Sequence, residues 1–311
     1  TLYSGISSGT ERAVFRGTAP FYDKYFDADL HLFLKGNNPS FQYPLEYGYE
    51  NVGIVEKIGG KVTEFAVGDK VASFMGHVSH YVAKEDELNK LPEKFDPENG
   101  VFMALVGVAY NGILDARIVL GDTVVIFGAG IVGQILAQMA VMSGAGEVIV
   151  VDRSDMRLEL AGTSGATCTI NSANEEDVAL KIRQMTDRRG ADIVIEATGS
   201  SYALNDAIRT ACFQGRVVVV SFLAGEAKGL FLGDEFHHNR ISLVSSQAAG
   251  VNPELSPRWT PLRKRSAAFD ILPKLKLDHL ISHVYNLSQA QEAYELCDSQ
   301  PDKVMQLIFK F

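Results

Sequence analysis

The glycine-rich turn at residues 128–133, which reads G-A-G-I-V-G, combines residue types and spacing that could bind phosphate. It follows an apolar run at Thr123–Phe127, typical of a strand buried on both faces, and precedes a helix predicted over Ile131–Ser143. In this context the first glycine allows a tight turn, the second lets the backbone approach a pyrophosphate, and the third lets the helix pack on the strand. The N–H groups at the helix start favour phosphate. We therefore predict a dinucleotide site formed by Gly128, Gly130, Ile131, Val132 and Gly133.

An acidic residue, Asp152, ends the next predicted strand, Glu147–Val151. It follows Gly133 by 19 positions, close to the spacing expected for a carboxylate that binds the adenosine ribose. Such a carboxylate accepts hydrogen bonds from the ribose hydroxyls of NAD and repels the 2′-phosphate of NADP. Arg153 and Arg157 are predicted on the adenosine side, where an arginine can serve a 2′-phosphate. The pattern favours NAD and leaves NADP as the alternative.

Strands and helices alternate through the middle third of the chain. Strands separated by helices of this length imply βαβ units, and right-handed crossovers then give an α/β fold with a doubly wound, parallel, six-stranded sheet. Beyond those already given, the predicted helices and strands are Ser154–Gly162, Thr167–Ile170, Glu175–Asp187, Asp192–Ile195, Tyr202–Arg209, Arg216–Ser221 and Ile241–Ser245.

The flanks of this region predict a β-rich domain built from both ends of the chain. Short β-like runs at Val52–Ile58, Lys70–Phe74 and His80–Ala83 are broken by glycine-containing turns, and the C-terminal part mixes strand and helix patterns. The predicted organisation is an outer catalytic domain from residues 1–105 and 247–311, with a dinucleotide-binding domain at 106–246 inserted between them.

The composition excludes several classes of protein. The chain has 311 residues, of which 46% are apolar and 22% charged, which is ordinary for a globular protein. A net charge of −9 argues against a nucleic-acid partner, and the lack of a long uninterrupted apolar run argues against a membrane span. Cys168, Cys212 and Cys297 have no paired spacing, which indicates a reducing compartment and predicts a cytoplasmic protein.

Further motifs occur in the order of one known family. They read G-I-S-S-G-T-E at 5–11, G-Y-E-N-V-G at 48–53, V-G-D-K-V at 67–71, E-A-T-G at 196–199 and L-I-S-H at 280–283. Together they resemble the medium-chain dehydrogenase/reductase superfamily, which includes zinc alcohol, sorbitol and threonine dehydrogenases. The resemblance covers nearly the whole chain and implies a Rossmann domain inserted into a GroES-like catalytic domain. It adds Thr198 and Gly199 to the cofactor site and implies one or two strands before Thr1.

The zinc ligands of that family do not appear at the matching positions. The family binds catalytic zinc through the cysteine of G-I-C-G-T-D, the histidine of G-H-E and a third ligand; here Ser8 and Tyr49 occupy the first two positions and residues 103–107 offer no third. Hydroxyls are poor zinc ligands beside thiolate and imidazole, and the four-cysteine lobe for structural zinc is also missing. The resemblance therefore implies a zinc-free branch. The stretch Tyr43–Glu50 is also similar to bacteriochlorophyllide a dehydrogenase.

Hydroxyl and carboxyl groups must then orient an alcohol and take its proton. Tyr49 stands where the zinc-binding histidine would be, and Thr10 matches the hydroxyl of the family's proton relay. Glu50 and Glu11 are candidates to hold the proton. We predict Tyr49, Thr10 and Glu50 as catalytic, with a nearby cation or the positive charge of the nicotinamide lowering the pKa of the Tyr49 phenol from about 10. The alternative that Tyr49 only fills the space of the missing zinc stays open.

The predicted function is zinc-independent hydride transfer between NAD(H) and a secondary alcohol or ketone. Two alternatives stay open: an NADPH-dependent reductase of enone or quinone double bonds, and a protein that binds dinucleotide without catalysis. The expected partners are a small-molecule alcohol or ketone and a second copy of the chain, since a homodimer is expected. Neither nucleic acid nor a membrane is expected as a partner.

An aromatic-rich segment lies between Glu11 and Gly48. We expect part of it to roof the active-site cleft with an apolar or sugar-stacking wall, while a satellite core or a subunit contact stays open as the alternative. The histidines, including the H-x-x-H pair His77 and His80, are expected to be structural or solvated. The aromatic residues of the segment are Phe21, Tyr22, Tyr25, Phe26, Phe33, Phe41, Tyr43 and Tyr47.

Overall fold

The computed structural model of the protein describes residues 1–19, 22–36 and 42–311. It contains two compact units, which are described separately. Unit 1 comprises Thr1–Val101, Ala224–Glu226 and Ser282–Phe311, and unit 2 comprises Phe102–Leu223 and Ala227–Ile281.

The predicted boundary at 246/247 is wrong. Residues 247–281 belong to unit 2, because the helix at Pro261–Ile271 packs against the helix at Met103–Ala116 of the same unit. Both helices were separated in the sequence by the whole dinucleotide-binding pattern, so no local signal linked them. The first boundary lies at 101/102, a few residues before the predicted 105/106.

Unit 1 contains a six-stranded sheet whose neighbouring strands follow the order β13-β14-β1-β4-β5-β6, together with a separate two-stranded hairpin, β2-β3. The last strand of the chain pairs antiparallel with the first, so that Tyr3 lies opposite Lys310. Numbered along the whole chain, the elements of this unit are β1 (Tyr3–Ile6), α1 (Ser8–Phe15), β2 (Lys24–Asp27), β3 (Leu32–Lys35), β4 (Asn51–Ile54), β5 (Lys70–Ser73), β6 (Leu88–Lys90), β13 (Ile281–Asn286), α8 (Ala290–Ser299) and β14 (Gln306–Lys310).

The predicted strand at His80–Ala83 is also wrong. The carbonyl groups just before it, at Val78 and Ser79, accept hydrogen bonds from Thr1 and do not pair with a neighbouring strand among the described residues. The strand that pairs with β5 is β6 instead, with Val71 opposite Lys90. The three residues of β6, L-N-K, are too few to show the alternating pattern from which a strand is predicted.

Unit 2 is a doubly wound α/β domain with a parallel sheet of order β12-β11-β10-β7-β8-β9, which confirms the predicted fold class. All five residues of β7 are buried, as its continuous apolar run predicts. The elements are α2 (Met103–Ala116), β7 (Thr123–Phe127), α3 (Ile131–Met142), β8 (Glu147–Asp152), α4 (Asp155–Thr163), β9 (Cys168–Asn171), α5 (Val178–Met185), β10 (Ala191–Glu196), α6 (Ser201–Thr210), β11 (Ala211–Val219), β12 (Ser242–Ser245) and α7 (Pro261–Ile271).

One helical stretch among the described residues, Pro97–Ala116, is long and apolar enough in composition to cross a membrane. Its most apolar window is 72% buried inside the protein. The α2 part of the stretch packs against α3 and α7, so its apolar surface is used within the fold of unit 2.

Candidate functional site

The glycine-rich turn between β7 and α3 has the geometry of a phosphate cradle. Gly128 has a φ of +101°, which favours glycine, and a methyl group at Gly133 would lie 1.8 Å from the Gly128 carbonyl oxygen. A methyl group at Gly130 would meet no atom within 4 Å, so the space over this residue is open. Gly130 is also the residue before α3, whose first N–H groups have no acceptor within the helix. These features fit the pyrophosphate of a dinucleotide, and Ile131, Val132 and Gly133 supply the donors.

Asp152, at the end of β8, is fixed beside this turn. One carboxylate oxygen accepts a hydrogen bond from the Ala129 N–H (2.7 Å), and the other accepts bonds from the Arg153 and Ser154 N–H groups (2.7 and 2.9 Å). A carboxylate oxygen can accept more than one bond, so Asp152 keeps capacity for ribose hydroxyls. The Arg153 side chain is exposed, as expected for a residue at the rim of such a site.

Gln134, which the sequence analysis missed, stabilises the same turn through hydrogen bonds to backbone carbonyls. Its side-chain amide is fully buried and donates to the carbonyl oxygens of Ala129 (2.9 Å) and Arg157 (2.8 Å). Arg157, predicted on the adenosine side, therefore contributes its backbone to the frame of the turn. The signal for Gln134 was a polar residue inside an otherwise apolar helix.

The loop after β10 is organised by Glu196, which has no exposed surface. Its carboxylate accepts hydrogen bonds from the Thr198 N–H (2.6 Å), the Thr198 hydroxyl (2.5 Å) and the Gly199 N–H (3.1 Å), and from the Ser221 hydroxyl. A methyl group at Gly128 would lie 3.0 Å from the Thr198 side chain. The structure therefore brings the two predicted cofactor loops into contact, and Glu196 is the residue that holds the second.

In unit 1, the three predicted catalytic residues lie in one cluster around the start of α1. The Tyr49 hydroxyl donates to the Ser7 hydroxyl, and the Thr10 hydroxyl is a second hydrogen-bond partner of the phenol. Ser7 does not cap α1 with its side chain, although it occupies the capping position. The serine of the first motif that contacts Tyr49 is therefore Ser7. Ser8, which matches the family's zinc-binding cysteine, is instead the first residue of α1.

The described residues place no cation where it would lower the pKa of Tyr49, so that part of the expectation is wrong, and lowering by the nicotinamide charge stays a prediction. Burial raises the pKa of the phenol, and the nearby carboxylates of Glu50 and Glu11 raise it further, while hydrogen bonds to hydroxyls only partly oppose this. The phenol therefore stays protonated near neutral pH. The charged groups that shift its pKa are both carboxylates, and the spacing of residues along the chain could not reveal this.

Glu50 is 1% exposed, and burial raises the pKa of its carboxyl well above the ordinary value. The charge of Glu11 adds to this increase, and hydrogen bonding to Gln306 and Ser7 opposes it. The Gln306 amide donates to one carboxyl oxygen at 3.0 Å. A carboxyl in this environment holds a proton more tightly than one in water, and its carboxylate is a stronger proton acceptor than an ordinary one.

Glu11 anchors a second, neighbouring network that sequence reasoning missed. Its buried carboxylate accepts bonds from the Ser7 N–H (2.8 Å) and the Tyr294 hydroxyl (2.5 Å), and it lies 3.0 Å from the His77 ring. The other His77 nitrogen lies 2.8 Å from the Ser4 hydroxyl. His77 is thus a structural residue, in line with its predicted role, and the network ties α1 to α8.

A cavity of about 400 Å³ adjoins this network within unit 1. Its polar wall includes Glu11, His77 and Tyr47, and the remaining wall is mostly apolar. Tyr47 belongs to the aromatic-rich segment, and its ring lies edge-on to that of Tyr49, with ring centres 6.3 Å apart. The three predicted catalytic residues do not line this cavity.

The rest of the aromatic segment divides into two parts. Phe26 and Phe33 lie on the exposed β2–β3 hairpin with ring centres 5.1 Å apart, and Tyr22 stacks on Tyr43 at 5.3 Å. Phe21 and Phe41 lie outside the described residues. The role of the segment as a roof stays a prediction.

The residues of this cluster do not fit a zinc ion. Among the described residues, no three His, Cys, Asp or Glu side chains are arranged to hold a metal. Instead, the cluster presents the hydroxyls of Ser7 and Tyr49, and the Tyr49 hydroxyl donates a hydrogen bond to that of Ser7. Zinc in proteins prefers thiolate, imidazole and carboxylate ligands in a tetrahedron, so no step below is routed through a metal.

Two family models match consecutive parts of the chain. The model described as alcohol dehydrogenase GroES-like domain matches residues 25–126, and the model described as zinc-binding dehydrogenase matches residues 132–262. They occur in the order of the motifs identified in the sequence. Two solved structures that share the fold, each with a TM-score of 0.76, are described as bound to NADP and as complexed with NADH, respectively.

Similar proteins match over nearly the whole chain. D-guloside 3-dehydrogenase of Escherichia coli (strain K12) is 31% identical, over 96% of this chain and 88% of that protein. Sorbitol dehydrogenase 1 of Saccharomyces cerevisiae is 29% identical, over 86% of this chain and 83% of that protein. The crystal structure of galactitol-1-phosphate dehydrogenase from Escherichia coli shares the fold, with a TM-score of 0.79 at 21% identity, over 100% of this chain and 91% of that one.

The raised pKa of Glu50 predicts a pH-dependent loss of stability. Because the folded state binds this proton more tightly than the unfolded state, the contribution of Glu50 to stability is present below pH 4.5 and is lost as the pH rises towards the folded pKa. Glu50→Gln cannot titrate, so we expect it to unfold a few degrees above the wild type at pH 8, roughly 2–5 °C, and close to it at pH 4.5.

Thermal unfolding followed by circular dichroism at both pH values measures this difference. The exposed Glu93→Gln is the matched control and should follow the wild type at each pH. A Glu50→Gln protein that is no more stable than the wild type at pH 8 would show that the buried carboxyl carries no penalty.

Proposed function

The chain belongs to the medium-chain dehydrogenase/reductase superfamily, and from this premise we propose that it oxidises a secondary alcohol of a sugar or polyol with NAD and without zinc. The observation that carries the proposal is the buried cluster in which Tyr49, at a motif position where the family binds its metal, donates to Ser7 beside Glu50. When bound, the oxidised nicotinamide accepts the hydride. The residues of this chain must then remove the hydroxyl proton.

The proton path follows from the hydrogen bonds. Tyr49 accepts the proton of the substrate hydroxyl while it donates its own to Ser7, and Glu50 takes the last proton. Because the pKa of Tyr49 is raised, the phenol serves as a relay and not as a permanent phenolate base. In the reverse direction, Glu50 returns the proton along the same path to the ketone oxygen, while the ketone carbon would receive its hydride from the reduced nicotinamide. Thr10 holds the phenol in place as its second partner.

The choice of substrate class rests on the relatives. The 31% identical relative is named as a dehydrogenase that acts at position 3 of a D-guloside, and the sorbitol dehydrogenase acts on a polyol by its name. Both names describe oxidation of an alcohol, which matches the proton-accepting cluster. Tyr47 and the apolar wall beside it would suit the hydrophobic face of a sugar ring.

The homodimer is supported by the free edge of the sheet in unit 2. β12 pairs only with β11 among the described residues, and Leu243 is exposed there. The Ser246 N–H points to Val219 of β11, so by alternation the N–H of Leu243 points away from the sheet. An exposed edge of this kind offers donors and acceptors to the same strand of a second copy.

Removing the phenol hydroxyl tests the catalytic cluster. Tyr49→Phe keeps the ring, so we expect kcat for the substrate to fall by roughly 10²–10³ while NADH affinity stays unchanged. Initial rates on sugars and polyols, including a D-guloside and sorbitol, measure the effect. Tyr81→Phe is the control, because its hydroxyl also pairs with a serine, Ser73, within unit 1.

The same preparation tests the zinc-free proposal. Metal analysis should find no stoichiometric zinc, and a chelator should leave turnover intact. Full kcat in Tyr49→Phe would mean that the ring only fills space, and one tightly held zinc per chain would refute the zinc-free reaction. NADH binding without turnover of any alcohol would favour a non-catalytic protein.

Asp152 predicts the cofactor preference. We expect the wild type to bind NADH at least about tenfold more tightly than NADPH, because a carboxylate repels the 2′-phosphate. Asp152→Asn keeps an acceptor for the Ala129 N–H but loses the charge, so the difference in affinity between NADH and NADPH should become smaller. Fluorescence titration with both cofactors measures it, with Asp155→Asn as the control at the start of α4. Equal affinities in the wild type would contradict the NAD assignment.

The edge of β12 predicts the oligomeric state. Leu243→Pro removes only the outward N–H, so we expect it to convert a dimer into a monomer while unit 2 stays folded. Light scattering after size-exclusion chromatography measures the mass, and Leu243→Thr, which keeps the N–H, should remain dimeric. A monomeric wild type, or a dimeric proline variant, would exclude this edge as the interface.

A further inference from the structure

Lys264 is a buried lysine in unit 2 that the proposed reaction does not use. It lies on α7 and is 7% exposed. Its ammonium group donates to the side-chain oxygen of Asn111 (3.0 Å) and to the carbonyl oxygens of Ala248 and Gly250 (2.5 Å each). An ammonium has three protons, so each has an acceptor. A buried charge is costly unless it is fully hydrogen-bonded, and these three bonds satisfy it.

Asn111, on α2, extends these contacts to a second helix. It is 2% exposed, and its amide group donates to the Asp115 carboxylate (3.0 Å) and the Ser246 hydroxyl (2.9 Å). The Asn111 amide also donates to the Gln247 carbonyl (3.4 Å), so Lys264 and Asn111 hold the segment 246–250 at four points, three through backbone carbonyls and one through a side chain. We call this set, Lys264, Asn111, Asp115 and Ser246, the lysine brace.

The braced segment has a defined place in the sheet. It follows β12, so it lies at the carboxyl edge, where a doubly wound sheet binds its ligand. Asp152 follows β8 and marks the adenosine half of the site, formed by β7 to β9. The other half, β10 to β12, receives the nicotinamide in such a sheet. Segment 246–250 is thus the last loop of the nicotinamide half, and Gln247 within it is exposed.

We propose that Lys264 is a positioning residue that fixes segment 246–250 for the nicotinamide half of the cofactor, an inference that rests on the proposed function. Lys264 contacts the backbone of the segment and not its outer face, so it acts through the path of the loop. Without the ammonium, the carbonyl groups of Ala248 and Gly250 and the side-chain oxygen of the buried Asn111 lose this donor. The segment then has to move to satisfy them, and the surface offered to the nicotinamide changes.

The two halves of the cofactor can be tested separately. Lys264→Met keeps the length of the side chain and removes the charge, so we expect NADH affinity to fall about tenfold or more, as the loss of buried hydrogen bonds implies. ADP-ribose occupies only the adenosine half and should bind with unchanged affinity. Protein fluorescence gives the NADH affinity and calorimetry gives the ADP-ribose affinity. The exposed Lys274→Met is the matched control for loss of a lysine.

Lys264→Gln, whose neutral amide can still donate to one or two of the acceptors, should give an intermediate NADH affinity and serves if the Met variant does not fold. Unchanged NADH affinity in these variants would overturn the proposal, and so would an equal loss of NADH and ADP-ribose, since that marks a general structural role. If the wild type binds neither NADH nor NADPH, the proposed function fails first. If the wild type binds NADH and only the variants disagree, the proposed function stands and the brace alone is refuted.

Discussion

Glu196 is fully buried at the carboxyl end of β10, and the protein must therefore supply every hydrogen bond that its carboxylate needs. It obtains them from the loop that follows and from Ser221 after β11. The same constraint acts on both sides of it. Asp152 collects N–H donors around the phosphate turn, and Lys264 gives its protons to carbonyls after β12. Packing of the apolar strands places these loops at one edge of the sheet. The hydrogen bonds of the buried polar groups then set the backbone conformation of each loop.

In unit 1, two buried carboxyl groups differ in how many hydrogen-bond donors the protein supplies to them. Glu11 is satisfied by an N–H, a phenol and an imidazole, and it ties α1 to α8. Glu50 receives one amide hydrogen bond from Gln306, and the charge of Glu11 disfavours its ionised form. Glu11 therefore serves as an anchor, while Glu50 is the carboxyl that we propose as the proton acceptor. The rigid start of α1 keeps Ser7 at a fixed position between them, which a relay through hydroxyl groups requires.

The parts that could be predicted from the sequence are those encoded locally. The all-apolar run of β7, the glycine spacing and the acid at 152 describe one βαβ unit, and the structure reproduces all three. The networks could not be predicted, because their members lie far apart in the chain. His77 follows Glu11 by 66 positions and Tyr294 follows it by 283, so no spacing rule relates them. The misplaced boundary at 246/247 has the same origin, since only packing of α7 on α2 reveals it.

The Tyr49 phenol has a raised pKa because it is buried beside carboxylates, and this burial follows from packing that the sequence alone does not reveal. A zinc ion would lower the pKa of a bound alcohol by its positive charge. The described groups that shift the pKa values of Tyr49 and Glu50 are carboxylates, hydroxyls and an amide, and none is a cation. The described residues of the cluster supply no positive charge of their own, so in the proposed reaction proton removal depends on the strength of the final acceptor. A carboxyl whose pKa is raised is a stronger base than an ordinary one, so the burial that destabilises ionised Glu50 would also strengthen it as the proposed proton acceptor.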